Sequence, residues 1–209
     1  MERNNVDTYN VRAVLLGDVG VGKTTLARYI AEGRFVPDVR ASIAADFVTA
    51  VEIVSGQRVR LTLFDHTMSE RFRAIPRVHL RRSQLIYVCF DITSRESFVG
   101  ATQWLRDAHA HCGAASNIVL LGLKLDCADQ RTVHRDEARD FVDEIGASGY
   151  EELSSEDGTN ALSAIWEPIA AAIPLRLTQR PGSVRLPMSL SHHKQGSNTV
   201  FSQQGCSHQ

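Results

Sequence analysis

A short run near the start of the chain, Gly17-Asp18-Val19-Gly20-Val21-Gly22-Lys23-Thr24, has the residue types and spacing to hold a phosphate chain. It satisfies G-x-x-x-x-G-K-[ST] at each required position. Gly17, Gly20 and Gly22 allow the tight left-handed turns that point successive N–H groups inward at phosphate oxygens. Lys23 brings a point charge for the β- and γ-phosphates, and the Thr24 hydroxyl suits Mg²⁺. The flanks agree. Val11–Leu16 reads as a buried strand entering the loop. Thr25–Ala31 reads as a helix leaving it, whose N-terminus favours an anion. A glycine-rich turn matching by chance would need neither flank.

Further polar side chains fall where strands end. Asp65 follows the strand Leu61–Phe64 and can hold Mg²⁺ through water. Lys124 and Asp126 follow an apolar run at 117–123. Asp126 can accept two hydrogen bonds from a guanine edge, while the Lys124 stem packs over the ring. Ser154-Ser155, after a short strand near Tyr150–Leu153, can offer a backbone N–H to the guanine oxygen. The eight histidines lack metal-ligand spacing apart from the adjacent His192-His193 in a polar tail.

The elements that position these groups alternate. Strand Val11–Leu16 leads into helix Lys23–Glu32, and a polar loop runs from Gly33 to about Ala45. Phe47–Val54 alternates as a strand, turns at Ser55-Gly56-Gln57, and returns as Val59–Phe64, an antiparallel pair at a sheet edge. Leu85–Phe90 and Asn117–Leu123 are continuously apolar, as in strands buried on both faces. Helical periods fit Arg95–His109, Arg135–Ile145 and Ala161–Leu177. This alternation predicts an α/β fold with a mostly parallel sheet, helices on both faces and right-handed crossovers. Ligands then bind at the carboxyl ends of the strands, where the phosphate loop lies.

Composition adds bounds. The chain has 209 residues, 43% of them hydrophobic, enough for one domain over about 1–179. From Arg180 to Gln209 no apolar period survives, which reads as a disordered tail. A net charge of −1 with dispersed basic residues argues against nucleic acid. Cys89, Cys112, Cys127 and Cys206 show neither pairing nor metal spacing and read as reduced thiols of a cytosolic protein. No apolar run reaches membrane-span length, and the polar N-terminus is not a signal peptide.

With these motifs in order, residues from roughly 8 to 178 resemble the Ras-like small GTPases, and the Rab branch in particular. Ile43-Ala44-Ala45-Asp46-Phe47, Glu70-Arg71-Phe72-Arg73-Ala74-Ile75, and Phe90-Asp91-Ile92-Thr93-Ser94-Arg95-Glu96-Ser97-Phe98 with Trp104-Leu105 are similar to Rab stretches. The resemblance implies a P-loop small G domain with a six-stranded sheet carrying one antiparallel edge strand. It implies GTP/GDP and Mg²⁺ as ligands, and effector and exchange-factor proteins as partners of a switch surface. It implies a monomer acting in vesicle traffic. The nucleotide would be held by residues 17–24, Thr25, Phe35, Ser42, Asp65, Met68, Leu123, Lys124, Asp126, Ser154, Ser155 and Glu156. Within that set, Phe35 falls at the guanine-stacking aromatic and Ser42 at the loop hydroxyl that senses the γ-phosphate. Thr24, Ser42 and Asp65 form the implied metal set. Lys23 and Ser69 stand at the reacting centre.

The departures from the family are specific. Its D-T-A-G-Q-E reads Asp65-His66-Thr67-Met68-Ser69-Glu70 here. Met68 replaces a glycine whose N–H contacts the γ-phosphate, and Ser69 replaces the glutamine that orients water. N-K-x-D reads Leu123-Lys124-Leu125-Asp126, and S-A-K reads Ser154-Ser155-Glu156. His66 reads as an exposed loop histidine, because this chemistry relies on positioning. Cys206-Ser207-His208-Gln209 places a cysteine where a prenylation signal would have it, although Ser207 and His208 are not aliphatic. Such a lipid would make a cytoplasmic protein peripheral on endomembranes. The resulting expectation is a divergent Rab-like GTPase with very slow turnover. A pseudo-GTPase interaction scaffold that no longer switches is the alternative. A P-loop kinase or ATPase fits worse, since Lys124 and Asp126 stand where a guanine site belongs and no lid-type arginine cluster is present.

Overall fold

A computed structural model of the protein describes residues 8–33, 47–65, 77–114 and 116–172. Strand β1 (Thr8–Leu16) feeds helix α1 (Lys23–Glu32). β2 (Phe47–Val54) and β3 (Gln57–Asp65) form a hairpin. Then come α2 (Arg77–Arg82), β4 (Leu85–Asp91), α3 (Arg95–His111), β5 (Asn117–Leu123), a 3-10 segment (Leu125–Gln130), α4 (Arg135–Ile145), β6 (Gly149–Glu152) and α5 (Ala161–Ala172).

These strands make one six-stranded sheet in the order β2-β3-β1-β4-β5-β6. The pairs β1–β3, β1–β4, β4–β5 and β5–β6 are parallel, and only β2 runs antiparallel, at an edge. Its hairpin closes through Ser55 and Gly56, with φ of 50° and 77°. Two positive φ values in a two-residue loop match the twist of the strands it joins.

Alternation along the strands divides the core. Ala13 and Leu15 of β1 face Leu26 and Ile30 of α1 and Ile165 and Ile169 of α5. Val14 and Leu16 face the side carrying Phe98, Trp104 and Leu105 of α3 and Val142 of α4. β4 is buried along its whole length, as a strand sandwiched between helix layers must be.

Chemistry at the chain's turns sets the helix limits. Ser94 caps α3 by accepting from the Ser97 N–H at 3.2 Å. Gly146 ends α4 in the left-handed conformation. Helix α3 extends two residues past the sequence expectation, to His111, and α5 is described as far as Ala172. Helix α2 was not foreseen: six residues give too few turns for a period, and Leu80 is its buried anchor.

An ion pair with a buried carboxylate ties β6 to Arg131, the residue that ends the 3-10 segment. Arg131 donates from Nη1 and Nη2 to the two Glu152 oxygens at 2.7 and 2.8 Å. Tyr150 Oη donates to Glu152 Oε1 at 2.6 Å. Burial alone would push the Glu152 carboxyl up, but these hydrogen bonds hold it below the usual range. A depressed carboxyl stabilises the fold above its ordinary pKa, about 4.3, and loses that contribution as pH falls through the folded value. Arg131→Leu strands a carboxylate that is 3% exposed, at an expected cost of about 3 kcal/mol. Urea unfolding at neutral pH measures this. The cost should shrink toward pH 3, and a loss that stays constant with pH would contradict the assignment.

Candidate functional site

The phosphate side lies where β1 and β3 end and α1 begins. Gly17 has φ 136°, and a Cβ there would lie 2.2 Å from the Cys89 carbonyl oxygen of β4. Only glycine fits both the angle and the gap. Gly22 caps α1 in the left-handed conformation, with no side chain satisfying the helix end, and the first turn carries no acidic residue. An uncapped N-terminus of this kind suits an anion.

Lys23 is 2% exposed. Its Nζ donates to the carbonyls of Gly17 and Asp18 at 2.9 and 2.8 Å. The ammonium is thereby pulled back across the loop that would surround a phosphate. Thr24 Oγ1 donates to Asp65 Oδ2 at 2.7 Å. A hydroxyl from the first turn of α1 and a carboxylate from the end of β3 are hard oxygen ligands of the kind Mg²⁺ takes. The donor set therefore fits both groups that the sequence implied.

The other half of the site lies at the ends of β4, β5 and β6. Lys124 takes a left-handed conformation, φ 65°, and starts the 3-10 segment. Its Nζ pairs with Asp91 Oδ2 at 2.6 Å. Asp91 also accepts from the Thr93 N–H and hydroxyl. Burial would raise the Asp91 carboxyl, but Lys124 and Thr93 hold it low. The Lys124 head is thus fixed at the tip of β4, with its stem crossing the space between.

Asp126 Oδ1 accepts from the Ser154 hydroxyl, and Oδ2 accepts from the Cys127 thiol at 3.2 Å. Against the effect of burial, these donors lower the Asp126 carboxyl. It stays an acceptor at neutral pH. The Ser154 N–H donates to the Thr159 carbonyl at 2.9 Å. Ser154 therefore acts as a brace for Asp126, which leaves Ser155 as the main-chain donor of the pair. The Glu156 N–H donates to Ser154 Oγ at 3.1 Å.

The two halves meet at Leu123. It is 1% exposed, and its Cδ1 lies 3.5 Å from where a Gly22 Cβ would be. An apolar contact joins the end of β5 to the phosphate loop at this point.

The structure thus brings together Gly17–Thr25 with Asp65, and Lys124, Asp126, Ser154, Ser155 and Glu156 around the end of β5. Phe35, Ser42, His66, Met68, Ser69 and Cys206 lie outside the described residues. Sequence reasoning missed Cys127 and the Asp91 anchor. Asp91 had a signal, a carboxylate ending a continuously apolar strand. Cys127 had none.

A family model described as the Ras family matches residues 12–174. The Ras-related protein Rab-30 of Homo sapiens is 34% identical over 149 residues, covering 71% of this chain and 73% of that protein. The Ras-related protein RABD2c of Arabidopsis thaliana is 30% identical over 198 residues, 95% of this chain and 96% of its own length. The Ras-related protein Rab-39A of Mus musculus is 37% identical over 158 residues, covering 73% and 72%.

Proposed function

The chain belongs to the Ras family, in its Rab branch, and from that premise we propose a guanine-nucleotide-binding protein of membrane traffic whose binding and turnover are uncoupled. The observation that carries binding is the convergence of Lys23, Thr24 and Asp65 on one side and Asp126 with Ser154 on the other, at the carboxyl ends of parallel strands. The N–H groups of the loop and the Lys23 ammonium take the phosphates. Thr24 and Asp65 hold Mg²⁺, joined by Ser42 in the GTP state. When bound, the metal neutralises phosphate charge. Asp126 reads the guanine edge and Ser155 its oxygen, with Phe35 and the Lys124 stem against the ring.

Weak turnover rests on Met68 and Ser69, which replace the glycine and glutamine of the family. A switch surface for effectors and exchange factors follows from family membership, as does vesicle traffic. The rival reading, a scaffold without nucleotide, gains support from Leu123 in place of the bracing amide.

Nucleotide extraction separates the two. Heat-denatured purified protein is expected to release GDP or GTP at close to one per chain, whereas release of no guanine nucleotide would establish the scaffold. Thr24→Asn removes the hydroxyl from Asp65 and should lower GTP affinity in Mg²⁺ by at least tenfold. Titration of labelled GTP in excess Mg²⁺ checks it, and unchanged binding would count against the metal site.

Attachment to membranes is assigned to Cys206. Among the described residues no helix is long and apolar enough to cross a membrane, and one prenyl chain gives reversible binding. In its native cell the Cys206→Ser variant should shift from the membrane fraction to the soluble one. An unmodified Cys206 by mass spectrometry would end this assignment.

A further inference from the structure

Gly100 stands inside helix α3, where alanine would be favoured by about 1 kcal/mol. It has no neighbouring turn to serve. What it meets is the phosphate loop. A Cβ on Gly100 would lie 1.9 Å from Asp18 Oδ2 and 2.7 Å from Asp18 Cγ. One turn further along the same face, Trp104 Nε1 donates to Asp18 Oδ1 at 3.0 Å. Both carboxylate oxygens of Asp18 therefore rest on one patch of α3, one over a glycine and one on an indole N–H. Trp104 is itself fixed, with its ring packed among the buried side chains between α3 and the sheet.

The other end of Asp18 faces the opposite way. Its carbonyl oxygen receives Lys23 Nζ at 2.8 Å. A residue anchored through its side chain to a helix and through its carbonyl to the loop lysine has little freedom left. The loop beyond it faces open space: a Cβ on Gly20 would meet nothing within 4 Å, and Val19 is 64% exposed.

We propose that Asp18 is a positioning residue, seated over Gly100 and held by Trp104, that keys the phosphate loop to α3 and so sets how long a nucleoside diphosphate stays bound. This rests on the guanine-nucleotide reading above. The physical basis is pre-organisation: a loop already ordered loses less freedom when it closes on phosphate, and the saving appears as slower release. Gly100→Ala drives the Asp18 carboxylate off its seat and carries the Lys23 contact with it, although no atom of residue 100 reaches the ligand site.

The test is the release rate of labelled GDP from the full chain in Mg²⁺. Gly100→Ala should release GDP roughly tenfold faster than wild type. Asp18→Ala removes the Cγ and carboxylate that the new methyl would meet. Added to Gly100→Ala, it should bring the rate to within about twofold of Asp18→Ala alone. The chain has two tryptophans, so Trp166→Phe leaves Trp104 as the reporter, and its emission should shift when GDP leaves. Wild type that takes up no GDP sinks the binding reading beneath this inference. Wild type that binds, with a Gly100→Ala rate equal to it or not brought to the Asp18→Ala level in the double variant, sinks this inference alone. If Gly100→Ala fails to fold, Trp104→Phe decides, because it keeps an aromatic ring among the buried side chains and removes the N–H. An unchanged release rate in that variant overturns the proposal.

Discussion

GTP loaded onto this protein is expected to persist through a single-turnover assay, and an activating protein that works by inserting an arginine should do little to shorten its life. Phosphoryl transfer here is positioning plus electrostatics, with no covalent work for the protein. Lys23 and the Thr24–Asp65 pair, proposed above to hold the phosphates and the metal, are in place. What the sequence does not carry at residue 69 is the glutamine that the family uses to aim the water. Ser69 carries a hydroxyl on one carbon, too short to span from the switch to both water and γ-phosphate. Met68 beside it lacks the backbone freedom of the glycine it replaces. Val19 is exposed and β-branched, and its bulk is expected to obstruct an inserted arginine. That arginine contributes roughly 10³–10⁵ in rate where it operates, so its exclusion is the largest single effect foreseen. Ser69→Gln alone should recover part of the rate, and Met68→Gly with Ser69→Gln more. A wild-type rate equal to that of a glutamine-bearing Rab would refute this. It would direct attention to His66 as the group placing the water.

Such a protein would dwell in its GTP state, and control would pass to loading, abundance or location. The retention of Lys23, Thr24, Asp65 and Asp126 beside Met68 and Ser69, where the family has glycine and glutamine, is the pattern expected when holding nucleotide matters more than hydrolysing it.

Much of the fold was legible in the sequence because its signals are local. Continuous apolar runs at Leu85–Phe90 and Asn117–Leu123 marked doubly covered strands, and both are. Alternation on either side of Ser55-Gly56 marked the hairpin and its edge position, which the register Val54↔Gln57 bears out. Residue types at strand ends also placed the phosphate loop and Asp65 together. What could not be read were contacts between residues far apart in sequence. Asp18 to Trp104, Lys124 to Asp91 and Ser154 to Asp126 each join separate elements. No periodicity encodes which carboxylate a given donor will meet. Gly100 shows the limit well. As a letter within a helical stretch it is a small defect, and its reason exists only once the phosphate loop is packed against α3.

Leu123→Asn is expected to tighten GDP binding by ten- to a hundredfold while lowering the stability of the nucleotide-free protein. The two effects have separate causes. In wild type the Leu123 side chain is buried and packs over Gly22. That contact excludes water and braces the loop from behind, but it offers no hydrogen bond toward the base or the loop. An amide in its place adds one or two bonds when nucleotide is present, each worth about 0.5–1.5 kcal/mol net. Every 1.4 kcal/mol is about tenfold in affinity. Without nucleotide the same amide is buried with partners lacking, at about 1–3 kcal/mol, and the apolar burial of the leucine is lost besides, about 1.5–3 kcal/mol. The wild-type choice of leucine therefore favours a domain that holds together without its ligand and exchanges it quickly. GDP release rates and thermal midpoints with and without GDP measure both sides. In the same assay GTP and GDP should outcompete ATP, because Asp126 stays ionised and aimed by Ser154. If Leu123→Asn binds GDP no more tightly than wild type, the apolar contact already supplies the whole brace. If ATP competes as well as GTP, Asp126 does not read the base.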